Sequence, residues 1–442
     1  MKLMDQTDKK HAGADNALPK MKPLRAVIIG AGHRSMLYAS YSQSHADELL
    51  IVGVVEPDDV RRQLVLDTYK LPPEHAYASI EQLVAGPRLA DIAFNGTMDH
   101  LHVQTTLPLL EAGYDVLLEK PIGVSEQEVR ELLEAANRLE RRVMICHELR
   151  YAPFYAAIRE RLLQGTIGQV INMQFAENVS YHHIASAYVR GKWNSAKRGG
   201  SSMLMAKCCH DLDLMVWMKA GIQPKRVSSM GGRMYFREEQ KPEGAGTRCL
   251  LDCPHVDSCS YSAKEMYLER NLWGAYVWHG IEHVSMNPSR EQKLESLRTD
   301  NPYGRCVWAS DNDVVDHQAV VVEFADGCTG TFSLNGNTAK PCRRLHLVGT
   351  LGEIEGNLED GSFTIRHFDL SAPHGYREEQ VQVDVTDNMH GGGDMRLVSD
   401  FLRVIRGERP SISTTTLADS VNGHFVGFAA DRSRTEQKWV HL

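Results

Sequence analysis

From residue 24 to about residue 147 the chain alternates short apolar runs with stretches whose apolar residues recur every three or four positions. The runs fall at 24–29, 50–55, 91–94, 115–118 and 143–146, each too short for a helix and apolar at successive positions. Such runs suit strands buried on both faces of a parallel sheet. Between them, 61–70, 79–85, 102–112 and 125–139 carry helical spacing, and Ser125 with Glu128 forms a capping-box signature. Strands alternating with helices predict a doubly wound, Rossmann-type α/β domain over 23–148, preceded by a polar segment at 1–22 that reads as a disordered tail.

Past residue 148 the rhythm changes. A helix is expected at 153–164, then period-two alternation at 169–175, and further strands at 318–324, 329–334, 344–348 and 362–367, the first two of these joined at Ala325-Asp326-Gly327. Strands linked by hairpins predict an α+β C-terminal domain over 149–442, with a large, mainly antiparallel sheet covered by helices on one face. The open face of such a sheet commonly becomes a subunit interface, so a homodimer or homotetramer is expected. The stretch 237–313 follows neither rhythm and reads as an insertion carrying three close cysteines.

Composition narrows the partners. The 442 residues include 49 Lys plus Arg against 57 Asp plus Glu, a net charge of -8 without a long single-sign block. That leaves no electrostatic footprint for nucleic acid or an anionic membrane, and no apolar run approaches a membrane span. The first 22 residues lack the apolar centre of a signal peptide, and nine cysteines, an odd number, suit a reducing compartment. A cytoplasmic protein acting on a small molecule is expected.

The first run ends in Gly30-Ala31-Gly32-His33-Arg34-Ser35. Glycines at 30 and 32 allow a tight turn and let backbone amides approach a pyrophosphate at the positive end of the next helix. Ser35 replaces the third glycine of the dinucleotide fingerprint. Glu56 ends the second run 26 residues after Gly30, where a carboxylate accepts ribose hydroxyls and repels a 2′-phosphate. NAD is therefore favoured, although Arg61 and Arg62 nearby leave NADP open. A later run delivers Glu119-Lys120-Pro121 to the carboxyl edge of the same sheet, and a lysine there beside a nucleotide turn points to an oxidoreductase.

On these segments, with Glu56-Pro57-Asp58, Thr97-Met98-Asp99-His100-Leu101-His102, Arg150-Tyr151 and the stretch from His210 to Asp213, the chain from residue 24 to its end resembles the Gfo/Idh/MocA family of nicotinamide-dependent oxidoreductases. The resemblance implies chemistry without metal, with Lys120 reaching both cofactor and reacting hydroxyl. Cofactor contacts are expected at Gly30, Gly32, His33, Arg34, Glu56, Thr97, His102, Glu119, Lys120 and Pro121.

Oxidising a secondary alcohol requires a base at the oxygen while the nicotinamide faces the carbon, and histidine suits that task near neutral pH. Residues 203–218 read as a helix in which Ala206, His210, Asp213 and Trp217 share one face, with Lys207 and Asp211 beside it. His210 is the expected base, and Lys207 and Asp213 are further catalytic candidates. The family commonly has an aspartate where this chain has Ala206. Either Asp211 or Asp213 then supports His210, or Lys207 shares substrate binding with Lys120.

Substrate contacts are expected from Arg150 and from a loop rich in groups that bind polyols, Tyr181, His182, His183, Arg190 and Trp193. Together they favour a sugar, sugar derivative or cyclitol as substrate. Cys249, Cys253 and Cys259, with Cys306 further on and His255 as another ligand, read either as a structural zinc site or as free buried thiols; zinc would shape an insertion short of apolar residues. The leading activity is NAD-dependent dehydrogenation. Two alternatives are redox-neutral glycoside cleavage through transient oxidation, kept open by Tyr181, His182 and His183, and a non-enzymatic nicotinamide sensor.

Overall fold

The computed structural model describes residues 22–385 and 389–442, so nearly all of the expected N-terminal tail lies outside the described residues. Its first sheet is built from β1 (Leu24–Ile29), β2 (Leu49–Val55), β3 (Ala76–Tyr77), β4 (Ile92–Asn95), β5 (Asp115–Leu118) and β6 (Val143–Ile145). All pair in parallel, in the order β3-β2-β1-β4-β5-β6. The order reverses between β1 and β4, which opens a crevice at their carboxyl ends.

Central burial explains why β1 is apolar throughout its second half: Val27 and Ile28 have no accessible surface. Each such side chain contributes about 1.5–3 kcal/mol on burial. The helices Asp59–Tyr69, Ile80–Val84, His102–Glu111 and Glu126–Arg138 lie within the expected stretches to one or two residues. The capping box is only half formed. Ser125 Oγ accepts from the Glu128 N–H, but the Glu128 carboxylate turns to the Val124 N–H at 2.7 Å instead of the cap residue's own.

The second sheet contains β7 (Val170–Ser180), β8 (Pro224–Gly232), β9 (His317–Phe324), β10 (Thr329–Thr338), β11 (Cys342–Gly349), β12 (Gly352–Asn357), β13 (Ser362–Phe368), β14 (Tyr376–Gln382) and β15 (Val440–His441). Their order is β14-β13-β12-β11-β7-β10-β9-β8-β15, antiparallel except for the parallel pair β7 and β10. Strand β9 alternates exposed and buried positions along its length, as a sheet with one covered face requires.

The C-terminal helices tie the two sheets together. The helix Gly393–Ile405 returns to the first sheet and packs Leu397, Val398, Phe401 and Leu402 against Ile28, Tyr38 and Phe94. The helix Leu417–Glu436 buries Leu417 and Val421 against the opposite face of that sheet and Val426, Ala429 and Ala430 in the second domain's core. Gly423 permits its close crossing over the helix Met203–Met218, since a β-carbon there would lie 2.9 Å from Asp213 Cα. That crossing fixes where the candidate base stands.

Candidate functional site

The glycine turn sits against the loop after β4. Gly30 has φ +79°, and a β-carbon on it would meet the carbonyl of Gly96 and the backbone of Thr97 at 3.1 Å, so only glycine fits. Glu56, buried at the end of β2, accepts from the Ala31 N–H at 2.6 Å and from the Asp58 N–H at 3.0 Å. Turn, carboxylate and the first-turn amides of the helix His33–Ala39 therefore fit the ribose and pyrophosphate of a dinucleotide.

Two residues expected at the cofactor are held by the protein itself. The Arg34 guanidinium turns into a carboxylate cluster, 2.9 Å from Glu119 and 2.5 Å from Asp394, with Glu148 and Tyr38 also bound to it. Its side chain ties the helix after the glycine turn to the helix Gly393–Ile405. His102 is buried, with Nδ1 2.6 Å from the Pro121 carbonyl and Nε2 3.1 Å from the Thr97 carbonyl. It clamps the loop after β4 to the loop after β5, while Thr97 Oγ1 donates to Asn95. On the other side of the same turn the Ile122 N–H donates to His424 Nε2 at 2.9 Å. Burial, followed by His147, pushes the His424 imidazole down to about 3, so it stays the neutral acceptor this bond needs.

That double clamp aims Lys120 across the crevice, where its Nζ donates to the Ala206 carbonyl at 2.7 Å. Burial opposes its charge, but Cys209, Glu119, Asp99 and Glu148 outweigh burial and raise its pKa. Lys120 is thus an ammonium at neutral pH. Asp99 accepts from Trp193 Nε1 at 3.2 Å, and its other oxygen, Oδ2, is buried without a hydrogen bond.

One helical turn beyond Ala206, His210 is buried and edge-on to His147, with ring centroids 5.6 Å apart. The carboxylate beside it is Glu148, whose Oε2 lies 3.5 Å from His210 Nδ1. Neither expected aspartate takes that place. Asp213 makes a two-pronged pair with Arg150, at 2.6 Å to Nε and 2.5 Å to Nη2, and Asp211 lies 3.1 Å from Arg343 Nε. Asp213 and Arg150 therefore satisfy one another in the core, where both are buried. Lys207, 3.0 Å from Glu177, stands beside Ala206 on the cleft side. The neighbouring Lys207 and Lys120, after burial, hold the His183 imidazole well below its usual range.

The loop expected to contact the substrate divides in the same way. His183 stacks on Trp273 with centroids 4.1 Å apart, His182 Nδ1 accepts from Trp273 Nε1 at 3.0 Å, Tyr181 is edge-on to His182, and Trp193 is edge-on to Tyr276. These rings form one wall. Arg190 is not part of it: 2 % exposed, it donates to the carbonyls of Arg305 and Tyr261 and to the Tyr267 hydroxyl.

The structure does not support the zinc reading. Cys249, Cys253, Cys259 and Cys306 line a cavity of about 240 Å³ together with His255, yet all nine cysteines are free and no group of three or more His, Cys, Asp or Glu among the described residues is placed to hold a metal ion. Arg190 Nη2, 3.5 Å from Cys249 Sγ, sets a cation beside that thiol, which disfavours a dication there. The insertion does not need one, because Val277, Leu297, Val307 and Trp308 join the second domain's core.

The residues missed in the sequence are Asp99, Glu148, Trp273 and Tyr276. Asp99 lies within a matched motif and was legible there; the other three gain their place only through long-range packing.

The sequence matches the NAD-binding Rossmann-fold profile of an oxidoreductase family over residues 24–147 and that family's C-terminal α/β-domain profile over 159–442. YteT of Bacillus subtilis (strain 168) is 26% identical, over 80% of this chain and 81% of its own length. The trans-1,2-dihydrobenzene-1,2-diol dehydrogenase of Bos taurus is 31% identical over 41% of this chain, a match spanning 52% of that enzyme. Two solved structures share the fold: a levoglucosan dehydrogenase in complex with NADH and levoglucosan (TM-score 0.68, 14% identity, 95% of this chain and 100% of that one), and an NAD-binding oxidoreductase from Klebsiella pneumoniae (TM-score 0.69, 16% identity, 95% and 99%). No helix among the described residues is long and apolar enough to cross a membrane. With both profiles matched from residue 24 to the end and the glycine turn, Glu56 and Lys120 in one crevice, the chain belongs to the Gfo/Idh/MocA family of NAD(P)-binding oxidoreductases.

Proposed function

We propose that the protein transfers a hydride between NAD and a secondary hydroxyl of a sugar, sugar derivative or cyclitol. The observation that carries this reading is Lys120 Nζ on the Ala206 carbonyl, one turn from His210, which sets an ammonium and an imidazole on the two sides of one cleft. Bound nicotinamide would supply the hydride acceptor. Lys120, kept cationic by its neighbours, would hold the hydroxyl oxygen and stabilise charge developing there. His210 would take the hydroxyl proton, with Glu148 orienting its ring and balancing the imidazolium.

Two features support NAD over NADP. Glu56 stands where a 2′-phosphate would meet a carboxylate. Arg61 is tied to Glu282 at 2.8 Å, and Arg62 to the Glu56 carbonyl at 2.6 Å and to Asp59. The levoglucosan-bound neighbour and the dihydrodiol dehydrogenases support a cyclic polyol. The open sheet face, where Gln174, Thr331, Ser333 and a 38 % exposed Val321 lie, supports a homodimer or homotetramer. Purified protein given excess NAD and a panel of sugars and cyclitols should accumulate NADH, and Lys120→Ala should abolish it. A native protein that never changes nicotinamide absorbance on such a panel would sink the proposal.

A further inference from the structure

A second cavity, about 490 Å³, opens between the loop after the 181–190 segment and the insertion. Four basic side chains line it, Arg190, Lys192, Arg198 and Arg305, against two carboxylates, Asp300 and Asp311. Arg190 is spent on the protein, and Arg198 pairs with Asp311 at 2.5 Å. Among the described residues Lys192 and Arg305 make no salt bridge, so the wall keeps two cations without a paired carboxylate, against the single carboxylate of Asp300.

The cavity adjoins the cleft. Tyr276 belongs to its wall and also faces His33 at 6.4 Å and Trp193 at 5.9 Å, over the glycine turn and the ring wall. Lys192 lies over the Trp193 ring at 4.3 Å, and Trp193 is bonded to Asp99 beside Lys120. Desolvation lowers the Lys192 pKa, with Asp99 and Glu119 opposing it and Arg61 and Lys120 adding to it.

Resting on the dehydrogenase reading, we propose that this cavity binds an anionic group carried by the substrate, a carboxylate or phosphate set away from the reacting hydroxyl, with Lys192 and Arg305 as its charge partners. The substrate class is then an acidic or phosphorylated sugar rather than a neutral one. A charge-assisted contact of this kind gives both affinity and register, because it fixes which hydroxyl reaches Lys120.

The test is titration calorimetry on the full chain with saturating NAD, using D-glucuronate, glucose 6-phosphate and D-glucose as probes, repeated with Lys192→Gln and Arg305→Gln. At least one charged probe should bind about tenfold or more tightly than glucose, and the two variants together should remove that preference. Equal affinity for charged and neutral probes, or a preference that survives both substitutions, overturns the proposal. The cofactor's own phosphates are the other source of negative charge: if the variants weaken NAD binding and leave the probe preference intact, the cavity serves the cofactor and the proposal is wrong. Nicotinamide absorbance in parallel separates the two readings. Charge-selective binding without NADH formation on any polyol would leave the anion site standing and remove the dehydrogenase.

Discussion

A lysine and a histidine can divide the work at one hydroxyl oxygen only if one is charged and the other is not. Lys120 meets the first condition through Cys209, Glu119, Asp99 and Glu148. His210 must supply the vacancy for a proton. Lys120→Ala should therefore lower kcat/KM by about a thousandfold, and His210→Asn by a similar factor, the latter with little change in NAD binding by calorimetry. Glu148→Gln tests a positioning role. Removing a carboxylate 3.5 Å from the imidazole should move the acidic limb of the pH–rate profile to lower pH and cut kcat by about tenfold. An unmoved limb with intact folding would leave Glu148 a purely structural neighbour. Lys120 was legible in the sequence because Glu-Lys-Pro has a fixed place after a strand. Glu148 was not, because nothing local distinguishes it from other glutamates: its role exists only once the turn after β6 meets the helix Met203–Met218.

The helix Met203–Met218 was expected from its spacing, and its Ser202 cap accepts from the Met205 N–H at 3.2 Å. Helical spacing cannot show which charges are matched by another element. Asp213 shares its nominal face with His210, yet Arg150, from the turn after β6, claims it. Asp213→Ala should leave that buried guanidinium unpaired and destabilise the protein by about 3–5 kcal/mol, seen as a lower denaturation midpoint before any kinetic effect is interpreted. Asp211 behaves differently. Burial, offset in part by Arg343, pushes its carboxyl up to about 7. Its folded pKa is raised, so the folded state holds the proton more tightly, and stability falls as pH rises from about 4 towards about 7. Asparagine at this position has no proton to lose. The melting temperature of Asp211→Asn relative to the native chain should climb over that window, and a flat or falling difference would show that pairing with Arg343 outweighs the burial cost. The strands β8, β12 and β14 were not anticipated either. Pro, Gly and charged residues interrupt their alternation, and only pairing with neighbours defines them.

At the scale of the whole molecule, the insertion reaches across to the nucleotide side of the crevice. Glu282 bridges to Arg61 on the helix after Glu56, and Tyr276 faces His33 at the glycine turn. A partly exposed pair of this sort is worth about 0–1 kcal/mol, so Glu282→Gln should speed NADH release, measured by stopped-flow fluorescence, by about two- to fivefold without altering the melting temperature appreciably. The two-domain plan and the nucleotide turn could be read along the chain because local periodicity encodes them. How the insertion, the C-terminal helices and the ring wall converge could not, since each contact joins positions far apart in sequence. The proposed activity rests on the chemistry at Lys120 and His210. Its most direct test is to follow nicotinamide absorbance when the native chain, Lys120→Ala and His210→Asn each meet NAD and the best-binding sugar. NADH should accumulate in step with the oxidised sugar for the native chain and in neither variant. Release of an aglycone without net NADH, or undiminished NADH formation by either variant, would contradict it.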